Sequence, residues 1–292
     1  MVKLEISHPD KVLFPKDKIT KKDLIDYYQR VSSLMLPHLK DRPIIMQRYP
    51  NGIQKQGFIQ KNISDFFPSW IQSISVKRQA ASKGELVLCQ NKETLTYLAN
   101  LASISLHTWL SKKSKIDCPD RIIFDLDPPK GRFDLVRQAA RALREILEKE
   151  LKLKTFIMTT GSSGLHVVVP IKPNTSFDEV RAFAKLVAKR ICEENPKLFT
   201  IQIRKNQRRG RVFIDYLRNA YAQHAIAPYS ARALKGAPIA TPISWEELSK
   251  VQPQSFHLKN MPARIKKTNP WVSFYKSSKS IQSAIKKIAK DS

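Results

Sequence analysis

The sequence predicts an α+β fold in which a central antiparallel or mixed sheet is flanked by helices, with an N-terminal α/β portion packed on it. Two observations carry this expectation. In the middle of the chain, short apolar runs bounded by turn residues alternate with two long stretches of helical periodicity, Phe133–Leu151 and Phe177–Glu194. Nearer the N-terminus, one amphipathic stretch precedes several strand-like runs. No internal repeat or low-complexity linker interrupts the chain. A single domain over 1–292 is therefore expected, with an N-terminal portion to about 110, a core over about 111–275 and a basic tail over 276–292.

Taken in order, Leu4-Glu5-Ile6-Ser7 is a short extended piece. Thr20 is a plausible N-cap for a helix carrying Leu24, Tyr27, Tyr28, Val31, Leu34 and Leu36 at helical spacing. Pro43–Met46 is a strand and Tyr49-Pro50-Asn51-Gly52 a turn. Strands over Ile71–Val76 and Glu85–Leu88 and a helix around Leu95–Leu101 follow. Arg121–Asp127 is a strand stopped by Pro128-Pro129. The helix Phe133–Leu151 buries Leu135, Ala139, Leu143, Ile146 and Leu147. Thr155–Met158 and His166–Ile171 are strands around the polar turn Thr159–Gly164, and Val212–Tyr216 is another strand. Pro-punctuated loops come next, and Ser277–Lys290 is a basic helix.

The charge balance is the outstanding bulk property. Fifty-two Lys and Arg against 25 Asp and Glu leave a formal net charge of +27, a field that draws polyanions and above all nucleic acid. The three cysteines, Cys89, Cys118 and Cys192, match no zinc spacing and no disulfide framework. The N-terminus has no secretory apolar region and no stretch is long enough to span a bilayer, so a cytoplasmic, nucleoid-associated protein with no membrane partner is expected.

Within so basic a chain, acids at strand ends stand out. Asp125 and Asp127 are two residues apart on a strand and project from one face. Two such carboxylates repel unless a cation sits between them, and a hard divalent ion is the usual solution. A solvated strand end with salt-bridged aspartates is the alternative. Asp215 ends another apolar strand, and three carboxylates could hold two ions about 3.5–4 Å apart for phosphoryl transfer. In Thr159-Thr160-Gly161-Ser162-Ser163-Gly164-Leu165-His166, small residues let backbone amides and hydroxyls close around an anion. It is not a Walker loop, since no GK[ST] follows. Arg204, Lys205, Arg208, Arg209 and Arg211 cluster before Asp215, with Arg218 and Asn219 after it. This run could neutralise a triphosphate or be a solvated basic loop.

Phe124-Asp125-Leu126-Asp127-Pro128, Thr160-Gly161-x-x-Gly164-Leu165-His166, Arg211–Tyr216, Ala227-Pro228-Tyr229-Ser230-x-Arg232 and Thr241-Pro242-Ile243-x-Trp245-Glu246-Glu247-Leu248 occur in one order and spacing. In these the chain resembles the polymerase domain of bacterial ligase D and its stand-alone relatives, within the archaeo-eukaryotic primase superfamily. The resemblance runs from about Leu4 to about 270, without a ligase or nuclease segment, as in a stand-alone polymerase or an excised domain.

The resemblance implies a primase-like catalytic core and a nucleotidyltransferase of non-homologous end joining. Such an enzyme adds ribonucleotides or deoxynucleotides, with or without a template, to a primer 3′-hydroxyl at gapped, nicked or broken DNA. It implies two Mn²⁺ or Mg²⁺ ions, NTP or dNTP substrates, and a Ku-type protein and an ATP-dependent DNA ligase as partners. By resemblance, Asp125, Asp127 and Asp215 are the catalytic, metal-binding acids. Thr160, Ser162, His166, His107, Arg208 and Arg232 bind the nucleotide. His8, Lys11 and Lys21 bind a downstream 5′-phosphate, and Phe58 stacks on the template. The chain departs from the pattern at Ile59, where a second aromatic often stands, and at Gln47, His8 and Thr160. Two rival readings are a DxD-type phosphohydrolase, which Pro128-Pro129 disfavours, and a non-catalytic DNA-end-binding module.

Overall fold

The structure, a computed structural model, describes residues 4–77, 83–267 and 269–290, with the side chain of Lys83 excluded. In chain order its first elements are β1 (Val12–Phe14), β2 (Ile19–Thr20), α1 (Lys21–Leu39), β3 (Pro43–Arg48), β4 (Phe58–Gln60), β5 (Ser73–Lys77), β6 (Lys83–Leu88), α2 (Lys92–Asn100) and β7 (Ser103–Trp109). There follow β8 (Arg121–Asp127), α3 (Phe133–Arg144), β9 (Phe156–Thr159), β10 (Leu165–Pro170), α4 (Phe177–Glu194), β11 (Phe199–Thr200) and β12 (Val212–Asp215). The last are β13 (His224–Ile226), β14 (Thr241–Ile243), α5 (Met261–Arg264) and α6 (Gln282–Lys290). The chain divides into two compact units, and the class is α+β, as expected.

The first unit comprises Met1–Ser114, His224–Thr241 and Phe256–Asn269. Its sheet has the order β13-β7-β3-β6-β5, with β4 also paired to β3 and every pairing antiparallel. The helix expected after Thr20 forms because Thr20 and Asp23 build a reciprocal cap. Asp23 N–H donates to Thr20 Oγ1 at 3.2 Å, and Thr20 N–H donates to Asp23 Oδ2 at 2.8 Å. Its apolar stripe, Leu24, Tyr28, Val31 and Met35, joins Leu95 and Leu98 of α2 and Ile44, Met46, Ile104 and Leu106 of the sheet in one core. The Tyr28 hydroxyl donates to Ile104 O at 2.7 Å and accepts from Ala231 N–H at 3.1 Å, tying helix and strand to the late segment.

The second unit comprises Lys115–Gln223, Pro242–Ser255 and Pro270–Ser292. Its sheet runs β11-β12-β8-β10-β9-β14, with β8 held between antiparallel β12 and β10. Ile122, Phe124 and Leu126 are wholly buried on one face of β8, and α3 and α4 pack against that strand. By strand alternation Arg121, Ile123, Asp125 and Asp127 occupy the other face.

Several local expectations change. Leu4–Ser7 joins no ladder among the described residues. The long helix is regular only to Arg144, and Glu145–Glu150 widens to π-helical form while still burying Ile146 and Leu147. The tail is helical from Gln282, not from Ser277, and residues 291–292 lie outside the described residues. The strand β7, the hairpin β1–β2 and the short strands β4, β11, β13 and β14 were not anticipated. Cys89, Cys118 and Cys192 are all free thiols. Among the described residues no helix is long and apolar enough to cross a membrane.

Candidate active site

The ladder registers of the second sheet assemble a row of polar side chains across three strands. Asp125 on β8 stands directly opposite Asp215 of β12 on one side and His166 of β10 on the other. Directly opposed residues of antiparallel strands share a face, so His166, Asp125 and Asp215 form one line. Asp127 lies two residues further along the same face of β8, opposite Phe213.

The contacts follow from this layout. His166 Nε2 lies 3.4 Å from Asp125 Oδ1, while its buried Nδ1 has no hydrogen-bond partner among the described residues. Arg218, three residues after Asp215, sits between two of the acids, with Nε 3.4 Å from Asp125 Oδ2 and 3.7 Å from Asp215 Oδ2. The other Asp215 oxygen accepts the Leu217 N–H at 2.7 Å, which bends the chain back behind β12. Arg208 Nη1 is 3.7 Å from Asp127 Oδ2. Its guanidinium is carried on the Phe213 ring at 3.9 Å and donates to the carbonyls of Gln202 and Ile203.

The electrostatics separate the three acids. Burial would raise the Asp125 carboxyl, but His166 and Arg218 outweigh it and hold it below the ordinary aspartate value. Burial and then Asp125 push Asp127 up to about 6, against the pull of Arg208. Asp215 is also raised, by burial and by Asp125, although the Leu217 amide opposes this. Three carboxylates thus share this face with only two nearby guanidiniums among the described residues, those of Arg208 and Arg218, so one carboxylate charge lacks a guanidinium partner. A hard divalent cation relieves that condition, and the all-carboxylate donor set suits Mg²⁺ or Mn²⁺. Among the described residues no three His, Cys, Asp or Glu side chains close on a single point; Arg218 stands between two of the candidates.

The turn between β9 and β10 is built around Thr160. Its hydroxyl donates to Gly164 O at 3.1 Å and accepts from the amides of Ser162 and Gly164, each at 3.3 Å. Gly161 has φ +68°, and Gly164 presses so closely on β8 that a Cβ would lie 2.4 Å from Leu126 O. The turn thus meets β8 between its two acids. Ser162 is half-buried, and its carbonyl accepts from Gln254 Nε2 at 3.1 Å.

Other expected site residues belong to the first unit. His107 lies on β7 opposite Ile226, its ring 5.2 Å edge-on from His224, and Arg232 is half-buried. Lys11 and Lys21 are held by residues the sequence reading did not assign. Lys11 Nζ donates to Asn51 Oδ1 at 3.0 Å, and Lys21 Nζ donates to Ser7 Oγ at 2.9 Å and Asn100 O at 3.3 Å. Burial, and then the charge of Lys11, lower the Lys21 amine from its ordinary value. His8 sits at φ +46° in the bend that brings Lys11 to this place. Phe58 is exposed on β4, opposite Arg48 of β3.

The family model of the LigD primase-polymerase domain matches residues 20–271. The chain belongs to this family. It is 32% identical over 260 residues to the multifunctional non-homologous end joining protein LigD of Mycolicibacterium smegmatis, covering 88% of this chain and 34% of that one. It is 32% identical over 279 residues to the bifunctional LigD of Bacillus subtilis, covering 94% and 44%. The chain thus spans less than half the length of these relatives. A solved structure of the polymerase domain of Mycobacterium tuberculosis ligase D in complex with DNA is similar with a TM-score of 0.86 and 28% identity, covering 93% of this chain and 97% of that one. As a LigD primase-polymerase domain the chain is a nucleotidyltransferase, of a family that uses divalent metal and nucleoside triphosphates.

Arg218 is the site residue that sequence reasoning undervalued. It was visible only as one of many basic residues near Asp215. Its spacing of three from that acid, across a single tight turn, was the available signal.

Proposed function

We propose that the chain acts in DNA break repair by non-homologous end joining. It adds ribonucleotides or deoxynucleotides to a primer 3′-hydroxyl at breaks and short gaps and recognises a downstream 5′-phosphate. The observation that supports this best is the row His166–Asp125–Asp215 with Asp127 on the same face of one sheet. In the reaction, the 3′-hydroxyl gives up its proton to solvent water, its oxygen bonds to the α-phosphorus of the nucleoside triphosphate, the bond to the β-phosphate bridging oxygen breaks, and pyrophosphate leaves with that electron pair. Asp125, Asp127 and Asp215 would hold two divalent ions, Mn²⁺ or Mg²⁺. Bound there, such ions lower the pKa of the attacking hydroxyl and neutralise charge on the leaving group.

The protein's own residues orient and compensate. His166 fixes Asp125 through Nε2. Arg208, supported by Phe213 and two carbonyls, presents a guanidinium beside Asp127 that suits a triphosphate oxygen. Thr160 shapes the turn whose Ser162 would approach the phosphates. Nucleotide contacts by His107 and Arg232, 5′-phosphate contacts by His8, Lys11 and Lys21, and template stacking by Phe58 complete the reading. A Ku-type protein, an ATP-dependent ligase and a cytoplasmic, nucleoid-associated setting belong to the same proposal.

The test is primer extension on a gapped duplex with Mn²⁺ and NTPs, with and without a 5′-phosphate on the downstream strand. Asp127→Ala is expected to abolish extension and keep most DNA binding. Extension by that variant would defeat the assignment of the acids, and indifference to the 5′-phosphate would defeat the role of Lys11 and Lys21.

A further inference from the structure

Two large aromatic rings lie on the surface of the first unit with a guanidinium between them. Phe58 of β4 is 47% exposed and Phe66, in the loop after β4, is 56% exposed. The Arg48 guanidinium carbon is 5.2 Å from the centre of the Phe58 ring and 5.8 Å from that of Phe66. This arrangement is fixed from below. Arg48 Nε donates to Leu101 O at 3.0 Å, and Nη1 donates to Gln60 Oε1 at 2.7 Å. Gln60 in turn donates to Asn62 O and Ser64 Oγ, each at 3.0 Å, which shapes the loop that carries Phe66. The Phe66 carbonyl accepts from the Tyr97 hydroxyl at 3.3 Å, and its ring leans on buried Phe67 at 5.0 Å. The backbone is anchored while the outer face of the ring stays open.

Two half-exposed rings that share one guanidinium are a place where a ligand can dock, in contrast to a single exposed apolar residue. An aromatic–guanidinium–aromatic series offers π-faces and one positive charge at its centre, which matches unpaired nucleobases joined by a phosphate backbone. Exposed Lys61 adds positive charge along the same segment, with exposed Asp65 the one acid between Phe58 and Phe66. The chain's net charge of +27 supplies the long-range attraction.

We propose that Phe66 and Arg48 extend the single stacking position at Phe58 into a platform for consecutive unpaired bases of a single strand. Ile59 does not supply this. As the neighbour of Phe58 on β4 it points to the opposite face of the strand. Phe66 instead reaches the Phe58 side through the loop. The proposal rests on the reading of Phe58 as a template-stacking residue and adds a second stacking ring, particular to this loop.

The experiment is binding of fluorescent oligo(dT) to the full chain across a salt series, for the parent and for Phe66→Leu, Phe66→Trp and Phe58→Ala. Phe66→Leu keeps apolar bulk without a π-face and is expected to weaken binding at least about five-fold, the lower end of what one base stack contributes. The slope of log affinity against log salt should stay unchanged, because no phosphate contact is lost. Phe66→Trp is expected to bind at least as well as the parent and to lose tryptophan emission when oligo(dT) is added, beyond any change in the parent's four tryptophans. Unchanged affinity in Phe66→Leu, or no added quenching in Phe66→Trp, overturns the proposal. If Phe58→Ala alone weakens binding, template stacking at Phe58 survives and the Phe66 role falls. If neither position matters, both fall. Phe66 is exposed, so melting temperatures should be unaltered; a variant that fails to fold is itself a result against a ligand-facing ring.

Discussion

Arg218 Nε lies 3.4 Å from Asp125 and 3.7 Å from Asp215, so one guanidinium pins two carboxylates that face each other across the β8–β12 ladder. Removing it leaves their repulsion to be met by solvent or by an added cation. Arg218→Ala is expected to lower stability by about 0.2–1 kcal/mol in chelator, a modest figure because the side chain is 39% exposed. Melting with and without Mn²⁺ checks this: the ion should raise the melting temperature of the variant more than that of the parent. Equal responses would show that Arg218 does not compensate the acids.

Gly164 closes the turn against the carbonyl of Leu126, between the two acids of β8. The obstacle to a larger residue is backbone, which cannot rotate away. Gly164→Ala is expected to cost about 1–3 kcal/mol and to reduce primer extension more than DNA binding. Urea unfolding and a paired binding and extension assay measure the two effects. An alanine variant with parental stability would mean that the strands separate freely at this point.

Asn219 works behind the site. Its side-chain Oδ1 accepts the Ile123 N–H at 2.8 Å, and its Nδ2 donates to Ile123 O at 2.8 Å and Tyr216 O at 2.9 Å. The residue is wholly buried and thereby locks the turn after β12 to β8. Asn219→Ala strands backbone groups on both and is expected to destabilise by about 2–4 kcal/mol. Chemical denaturation gives the number; a loss under about 0.5 kcal/mol would refute the clamp.

Glu148 sets a pH dependence away from the acids. Burial would raise its carboxyl, but hydrogen bonds from Thr155 Oγ1 at 2.6 Å and Thr155 N–H at 3.0 Å, with Arg144 at 2.9 Å, hold it below the ordinary glutamate value. A lowered folded value stabilises fully above the unfolded pKa of about 4.3 and is lost as pH falls through the folded value. Glu148→Gln should therefore cost about 1–2 kcal/mol at pH 7, and the gap to the parent should close below about pH 4. Unfolding curves across that range decide it, and a constant gap would exclude the carboxylate as its source.

Long, periodic and well-capped elements were legible in the sequence: α1 behind Thr20, α4 over Phe177–Glu194, and the acid-tipped strands β8 and β12. What was missed has physical causes. β7 follows α2 after two residues, with no Pro or Gly to announce it; the alternation of Ser103, Ser105 and His107 with Ile104 and Leu106 was a period-two signal that could have found it. β4, β13 and β14 have three residues each, too few for a period, and exist as strands because a neighbour pairs with them. The widened turn at Glu145–Glu150 keeps the apolar spacing of a helix and leaves no mark in the pattern.

The kinds of element, the +27 charge and the three acids on two apolar strands can be read from the chain, because periodicity, capping and composition are local properties. It takes the folded sheet and its loops to give Asp125 its neighbours Asp215 and His166, to set Arg218 between two carboxylates, and to bring Phe66 and Phe58 to one Arg48. Those relationships depend on ladder register and on loops folding back over long sequence separations, which no local pattern encodes.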